Sequence, residues 1–195
     1  MSILWWEKTV EYFFVQKYVD IKMFVAPLDG KHEQAGDAIF SNESKWVLIE
    51  FKRSKENIAE ELSKLTNFAE AKSALEPEGA HHLIIYGESQ NNEFYLNCQQ
   101  YFSELSIPIE YALKSGAERD SFINYLNRFI GYKKQSQGSA GGYGFVAGIS
   151  NDGTITKCMK LSEFAEALNL EKSLKQKLQR QLDQQKSYSG PQMGR

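Results

Sequence analysis

"GDAIFSNESKWVLIEFKRS", residues 36–54, has the build of a β-hairpin: Ala, Ile, Phe, Trp, Val and Leu fill two arms around a polar Asn42–Lys45 turn. Asp37, Glu50 and Lys52 interrupt those arms. A charge buried in a strand is costly unless something pairs with it, so these three residues need a physical reason. Strand side chains alternate, which puts Glu50 and Lys52 on one face and Ile49 and Phe51 on the other. With a two-residue loop at Glu43–Ser44, paired positions sum to 87 and Asp37 falls directly across from Glu50. Opposed Cβ atoms in such a pair stand about 4.5–5.5 Å apart. A slip of one residue would set Asp37 against Ile49 or Phe51, and the apolar alternation disfavours it.

Two carboxylates held that close repel each other unless one is protonated or a cation intervenes. Hard oxygen ligands of this kind suit Mg²⁺ or Mn²⁺, which take one or two carboxylates and keep several waters. Lys52, one strand step further along the same face, is placed to hold an attacking water or to offset charge on a phosphate. A carboxylate pair, a lysine and a divalent ion make a device for hydrolysing a phosphodiester.

The flanks predict a layered fold. Residues 3–18 carry Leu4, Trp5, Val10, Phe13, Phe14 and Tyr18, enough for a buried helix, with Glu7, Glu11, Phe14 and Tyr18 along one stripe. "DIKMFVAPL" reads as a strand and "DGKHEQAG" as a turn-rich loop. After the hairpin, "SKENIAEELSKLTNFAEAKSAL" predicts one helix of about five to six turns, capped by Ser54 and halted near Pro77 and Gly79. "HHLIIYG" has the look of a buried central strand, and "EFYLNCQQYF" of another strand. The expected class is α/β, a mixed sheet with flanking helices.

"GD", followed thirteen residues later by the Glu50 of "EFK" and preceded by a helix bearing glutamates, resembles the PD-(D/E)XK nuclease superfamily, the restriction-endonuclease-like fold. The core of that family runs helix, three strands, helix, strand, matching residues 3–87. The resemblance implies Asp37 and Glu50 as metal ligands, the Phe51 carbonyl as a further ligand, and Lys52 as catalytic lysine. Glu7 or Glu11 would be the additional helix-borne acid, with Glu7 preferred. Gly36 stands where the family's motif has proline.

Beyond residue 100 the pattern matches nothing familiar. "ERDSFINYLNRFIGY" is helical in period, "QSQGSAGGYG" reads as a linker, and "GFVAGISNDGTITKCMKL" reads as a hairpin turning at Asn151-Asp152-Gly153. "LSEFAEALNL" predicts a short helix capped by Ser162. The expected organisation is a nuclease-like core over 1–100, an α+β extension packed on it over 101–170, and a basic, partly disordered tail over 171–195.

Other features carry weaker signals. "GSAGGYG" lacks the Gly-Lys-Ser/Thr ending of a phosphate loop. His81 and His82 mark a strand start without a third ligand at metal spacing, and His32 is a loop histidine. Tyr132 and Tyr143 beside Lys133 and Lys134 can stack on bases, or simply pack the loop down. Cys98 and Cys158 are far apart and read as buried free thiols of a reducing compartment. A net charge of -2 argues against a protein that coats nucleic acid non-specifically, but leaves room for a local basic groove. No secretory leader and no apolar run of about 18 residues is present, so no membrane is expected and the cytoplasm is.

The functional expectation is a Mg²⁺- or Mn²⁺-dependent nuclease, acting on DNA in preference to RNA, with a homodimer or an accessory protein as further partners. By the resemblance it would leave a 5′-phosphate. The rival is a catalytically inactive binding or accessory module on the same fold.

Overall fold

Lys45–Lys52, the second arm of the expected hairpin, becomes strand β1, central in a sheet that has five strands among the described residues. The computed structural model describes residues 4–19, 45–134 and 144–169. Within them, α1 (Glu7–Tyr18) is followed by β1 (Lys45–Lys52), α2 (Ile58–Leu62), α3 (Phe68–Leu75) and β2 (His82–Gln90). Then come β3 (Glu93–Gln100), α4 (Ile109–Leu113), α5 (Arg119–Tyr132), β4 (Phe145–Ile149) and β5 (Ile155–Lys160). A last helix, α6, covers 161–169.

The sheet order is β3-β2-β1-β4-β5, with β1 parallel to β2 and every other pair antiparallel. The protein is therefore mixed α/β with flanking helices. Two hairpins close by turn chemistry. Asn91 and Asn92 both take positive φ between β2 and β3, as a two-residue primed turn needs. Gly153, at φ 93°, lies in the predicted Asn151-Asp152-Gly153 turn between β4 and β5.

Alternation along β1 separates two cores. Trp46 and Leu48 face α3, α5 and α6, joining Leu75, Ile84, Phe122, Phe129 and Phe164. Val47, Ile49 and Phe51 face α1 and α4, joining Val10, Phe14, Leu83, Ile85 and Leu113. Each fully buried side chain of this kind contributes about 1.5–3 kcal/mol. The region expected as an extension supplies β4 and β5 to the same sheet, and α5 to the same core as Trp46.

Four expectations need correction. The hairpin does not form over 45–49, because both edges of β1 are already taken. β4 pairs with Lys45 through Ile49 on one edge. On the other, Ala117 exchanges backbone hydrogen bonds with Trp46, and β2 pairs from Leu48 onward. Asp37 itself, with the predicted strand 20–28, the loop 29–36, His32, Tyr143, most of the glycine-rich stretch and the tail, lies outside the described residues.

The single long helix is also split. A turn at 63–67 separates α2 from α3, and the Asn67 side chain accepts a hydrogen bond from the Glu70 N–H, starting a new helix. Ser54 gives no cap; its hydroxyl bonds to the Glu56 and Asn57 side chains instead. Likewise Ser162 lies inside α6. The Lys160 N–H is met by Glu163 Oε2 at 2.9 Å, as an N3 carboxylate does in half of a capping box.

Candidate functional site

Glu50 and Lys52 leave β1 on the same face, as alternation requires, and are only 3% and 6% exposed. They sit toward the carboxyl end of the parallel β1/β2 pair, beside Ile84 and Tyr86 in register. In open α/β sheets that end is where ligands bind.

Their partners come from two other segments. Glu61 of α2 is fully buried, and its Oε2 lies 2.9 Å from Lys52 Nζ and 2.6 Å from Lys64 Nζ. The Lys133 ammonium contacts the other oxygen of Glu61 and lies 3.7 Å from Glu50 Oε1. A short cross-link places Lys133. Leu65 and Lys133 form an antiparallel bridge, and the Thr66 and Lys134 N–H groups bond to the Tyr132 and Lys64 carbonyls at 2.8 and 2.9 Å. Its ammonium also stands 4.8 Å from the Phe129 ring centre. At the rim, Glu7 Oε2 comes within 3.8 Å of Lys52 Nζ.

Glu7, Glu50 and Glu61 thus face Lys52, Lys64 and Lys133, three carboxylates against three ammoniums. The two buried carboxylates differ in character. Burial alone would raise the Glu61 carboxyl, but Lys133 and Lys52, with hydrogen bonds from Lys133 and Lys64, hold it down at about 2. Burial wins at Glu50, whose carboxyl is raised despite the opposing fields of Lys133 and Lys52. Gly144 packs closely against it, since an added Cβ would press on Glu50 Oε1 at 3.2 Å.

Behind the cluster stands an aromatic box. His82, fully buried at the start of β2, stacks on Tyr101 with ring centres 4.0 Å apart, and its Nδ1 lies 2.8 Å from the Tyr125 hydroxyl. Burial, then Lys133 and His81, push His82 well below an ordinary histidine. His81 is likewise buried and lowered to about 4. Both are neutral core histidines.

Of the predicted site residues, the structure brings Glu7, Glu50 and Lys52 together. Glu11 points elsewhere, pairing with Lys8 at 2.5 Å, and the Phe51 side chain packs on the opposite face against Phe14 and Phe145. Tyr132 packs at the edge of the core and its carbonyl accepts from Thr66. Cys98 and Cys158 are free and buried, which pushes both thiols up to about 12. Glu61, Lys64 and Lys133 were not anticipated. Glu61 carried a signal, since it follows Ile58 by three and precedes Leu65 by four, on the apolar line of its helix. Lys133 carried none, being placed by a bridge to a segment far away in sequence.

Chemically, Glu61 is committed to three lysines, whereas Glu50 has one ammonium, at 3.7 Å. Glu50 can take a proton or a hard cation. Lys52 and Lys133 present positive charge to an anion. Among the described residues no group of three or more His, Cys, Asp or Glu is arranged to hold a metal, and no helix is long and apolar enough to cross a membrane. No protein-family model, curated protein or solved structure matches the chain.

Proposed function

We propose that this chain is a divalent-metal-dependent nuclease, with DNA as the preferred substrate, built on Glu50 and Lys52. One observation carries the reading. A carboxylate and an ammonium, both buried, stand two residues apart on one strand face at the ligand-binding end of a parallel strand pair.

The residues fit Mg²⁺ or Mn²⁺ in part. Glu50 supplies one hard carboxylate, and such ions are commonly held by one or two carboxylates with water completing the shell. Asp37 is the proposed second carboxylate and the Phe51 carbonyl a further oxygen. Glu61, satisfied by its lysines, is not a ligand in this reading. When bound, such an ion acidifies water and neutralises charge on a phosphate. Lys52 contributes a fixed positive charge for a phosphate oxygen, and Glu61 holds that ammonium in place. Glu7 and Lys52 mark the rim through which substrate approaches.

A second reading has its own observation. The described cluster is charge-balanced without any metal, three acids against three lysines, as a structural network in a non-catalytic binding or accessory module would be. The two are separated by incubating the full chain with plasmid, branched and single-stranded DNA and with RNA, in Mg²⁺, Mn²⁺ or chelator. Metal-dependent cleavage abolished by Glu50→Gln and by Asp37→Asn supports the nuclease. No cleavage on any substrate leaves the module.

A further inference from the structure

The contact between Glu7 and Lys52 has a neighbour one residue along each segment. Trp6 precedes Glu7, Arg53 follows Lys52, and the Arg53 guanidinium carbon stands 5.4 Å from the centre of the Trp6 ring. Trp6 is 63% exposed, an unusual state for the largest apolar side chain. Its position is fixed from below. The Arg53 carbonyl accepts from the Trp5 indole N–H at 2.6 Å and from the Gly87 N–H at 3.2 Å. Trp5 in turn packs edge-on against Phe94, with ring centres 5.4 Å apart. Gly87 makes this possible, because a Cβ there would come within 2.7 Å of both the Trp5 indole nitrogen and Phe94. The Trp6 N–H bonds to Thr9 Oγ1 at 3.1 Å, tying the residue to the start of α1. The backbone of both residues is therefore anchored, and the Trp6 ring is a solvent-facing platform with a cation beside it, next to the candidate site.

An aromatic face flanked by guanidinium is the surface on which unpaired bases stack, since every base has a π-face and the arginine adds cation–π and phosphate contacts. Paired bases inside a duplex do not present that face. We infer that Trp6 and Arg53 form a base-stacking subsite that selects single-stranded or frayed nucleic acid and delivers its backbone to the Glu50–Lys52 site. The inference rests on the nuclease reading for the destination of the strand, but the stacking itself does not require cleavage.

Binding is measured in chelator, by anisotropy of labelled twelve-nucleotide oligothymidylate and oligouridylate, with a blunt duplex of the same length for comparison. The full chain is expected to bind the single strands more tightly than the duplex, and the two single-stranded arms show whether the sugar matters. Trp6→Ala should weaken single-strand binding about five- to hundredfold, the range seen when a stacking aromatic is removed, while Trp6→Phe should keep most of it. Arg53→Gln, which leaves the indole in place, should weaken it less and reduce its salt dependence. Tyr111→Ala is the control. That side chain is 70% exposed beside Lys114, and no contact joins it to Trp6, Arg53, Glu50 or Lys52 among the described residues. It should change nothing. Single-strand affinity untouched by Trp6→Ala and Arg53→Gln overturns the subsite, even if the chain cleaves DNA. Affinity lost with Trp6→Ala in a chain that cleaves nothing keeps the subsite and removes the nuclease reading instead.

Discussion

Lys52 Nζ stands 2.9 Å from Glu61 Oε2, an ion pair between a strand and a helix in which the carboxylate is fully buried. Two further lysines reach the same carboxylate, so the pair anchors a network. Taking Glu61 away leaves the cationic side uncompensated. Removing one partner of a buried ion pair costs about 3–5 kcal/mol, whereas losing an exposed one costs at most about 1 kcal/mol. Glu61→Gln should therefore lower the urea midpoint strongly, while Lys64→Ala, whose side chain is half exposed, should barely move it. Equal, small effects of both would mean that the network does not stabilise the fold.

Glu50 should respond in the opposite sense. Burial raises its carboxyl above the ordinary 4.5. A raised acid contributes stability that is complete below the unfolded value and is lost as pH rises through the folded one. Above its folded value the ionised Glu50 is thus a cost to the fold, as functional charges often are. Glu50→Gln should gain stability relative to the parent as pH rises above 4, and the gain should vanish near pH 4. A variant less stable than the parent at pH 7 would show that Lys133 compensates the charge fully.

His81 gives a second pH signature. Its burial lowers it from 6.5 to about 4. A depressed base adds stability that is present above the unfolded value and lost as pH falls through the folded one. The gap corresponds to about 3 kcal/mol between neutral pH and pH 4. The parent should lose that stability relative to His81→Gln as pH drops from 7 to 4, measured as the difference between their denaturation curves. A difference that stays constant with pH would mean that His81 ionises freely in the fold.

Much of this arrangement was legible in residues 45–54 and 81–87. The run "WVLIEFK" announces a strand buried on both faces, and alternation alone puts Glu50 beside Lys52. "HHLIIYG" likewise announces the neighbouring strand. The pairing of β1 with β4 was not legible, because nothing local says that a strand about a hundred residues downstream will take the edge that a hairpin arm would use. Helical periodicity ran through Leu62 and Phe68 alike, so the break at Asn67 depended on a cap that competes with helix continuation. Glu61 was visible as an acid on an apolar line. Its partner Lys133 depended on the Leu65 bridge, a tertiary contact between segments whose own patterns are unremarkable.

The network makes Lys52 both a structural and a proposed catalytic residue, and a double-mutant cycle separates the roles. Residues in one ion network typically couple by about 0.5–3 kcal/mol, so Lys52→Met and Glu61→Gln together should cost less than the sum of their separate costs. Cleavage should behave differently. A charge acting on the reacting phosphate carries about 10²–10⁴ in rate, so Lys52→Met should lose that much, while its melting temperature falls less than that of Glu61→Gln because Lys64 and Lys133 still meet Glu61. Glu61→Gln removes the anchor but leaves the ammonium, so kcat should drop less than with Lys52→Met, even though Glu61→Gln is the less stable protein. That inversion, with the more stable variant the less active, is what a lysine that only braces Glu61 cannot produce. Rates that track stability across the two single variants and the double would assign Lys52 to the scaffold and leave the chemistry to other groups.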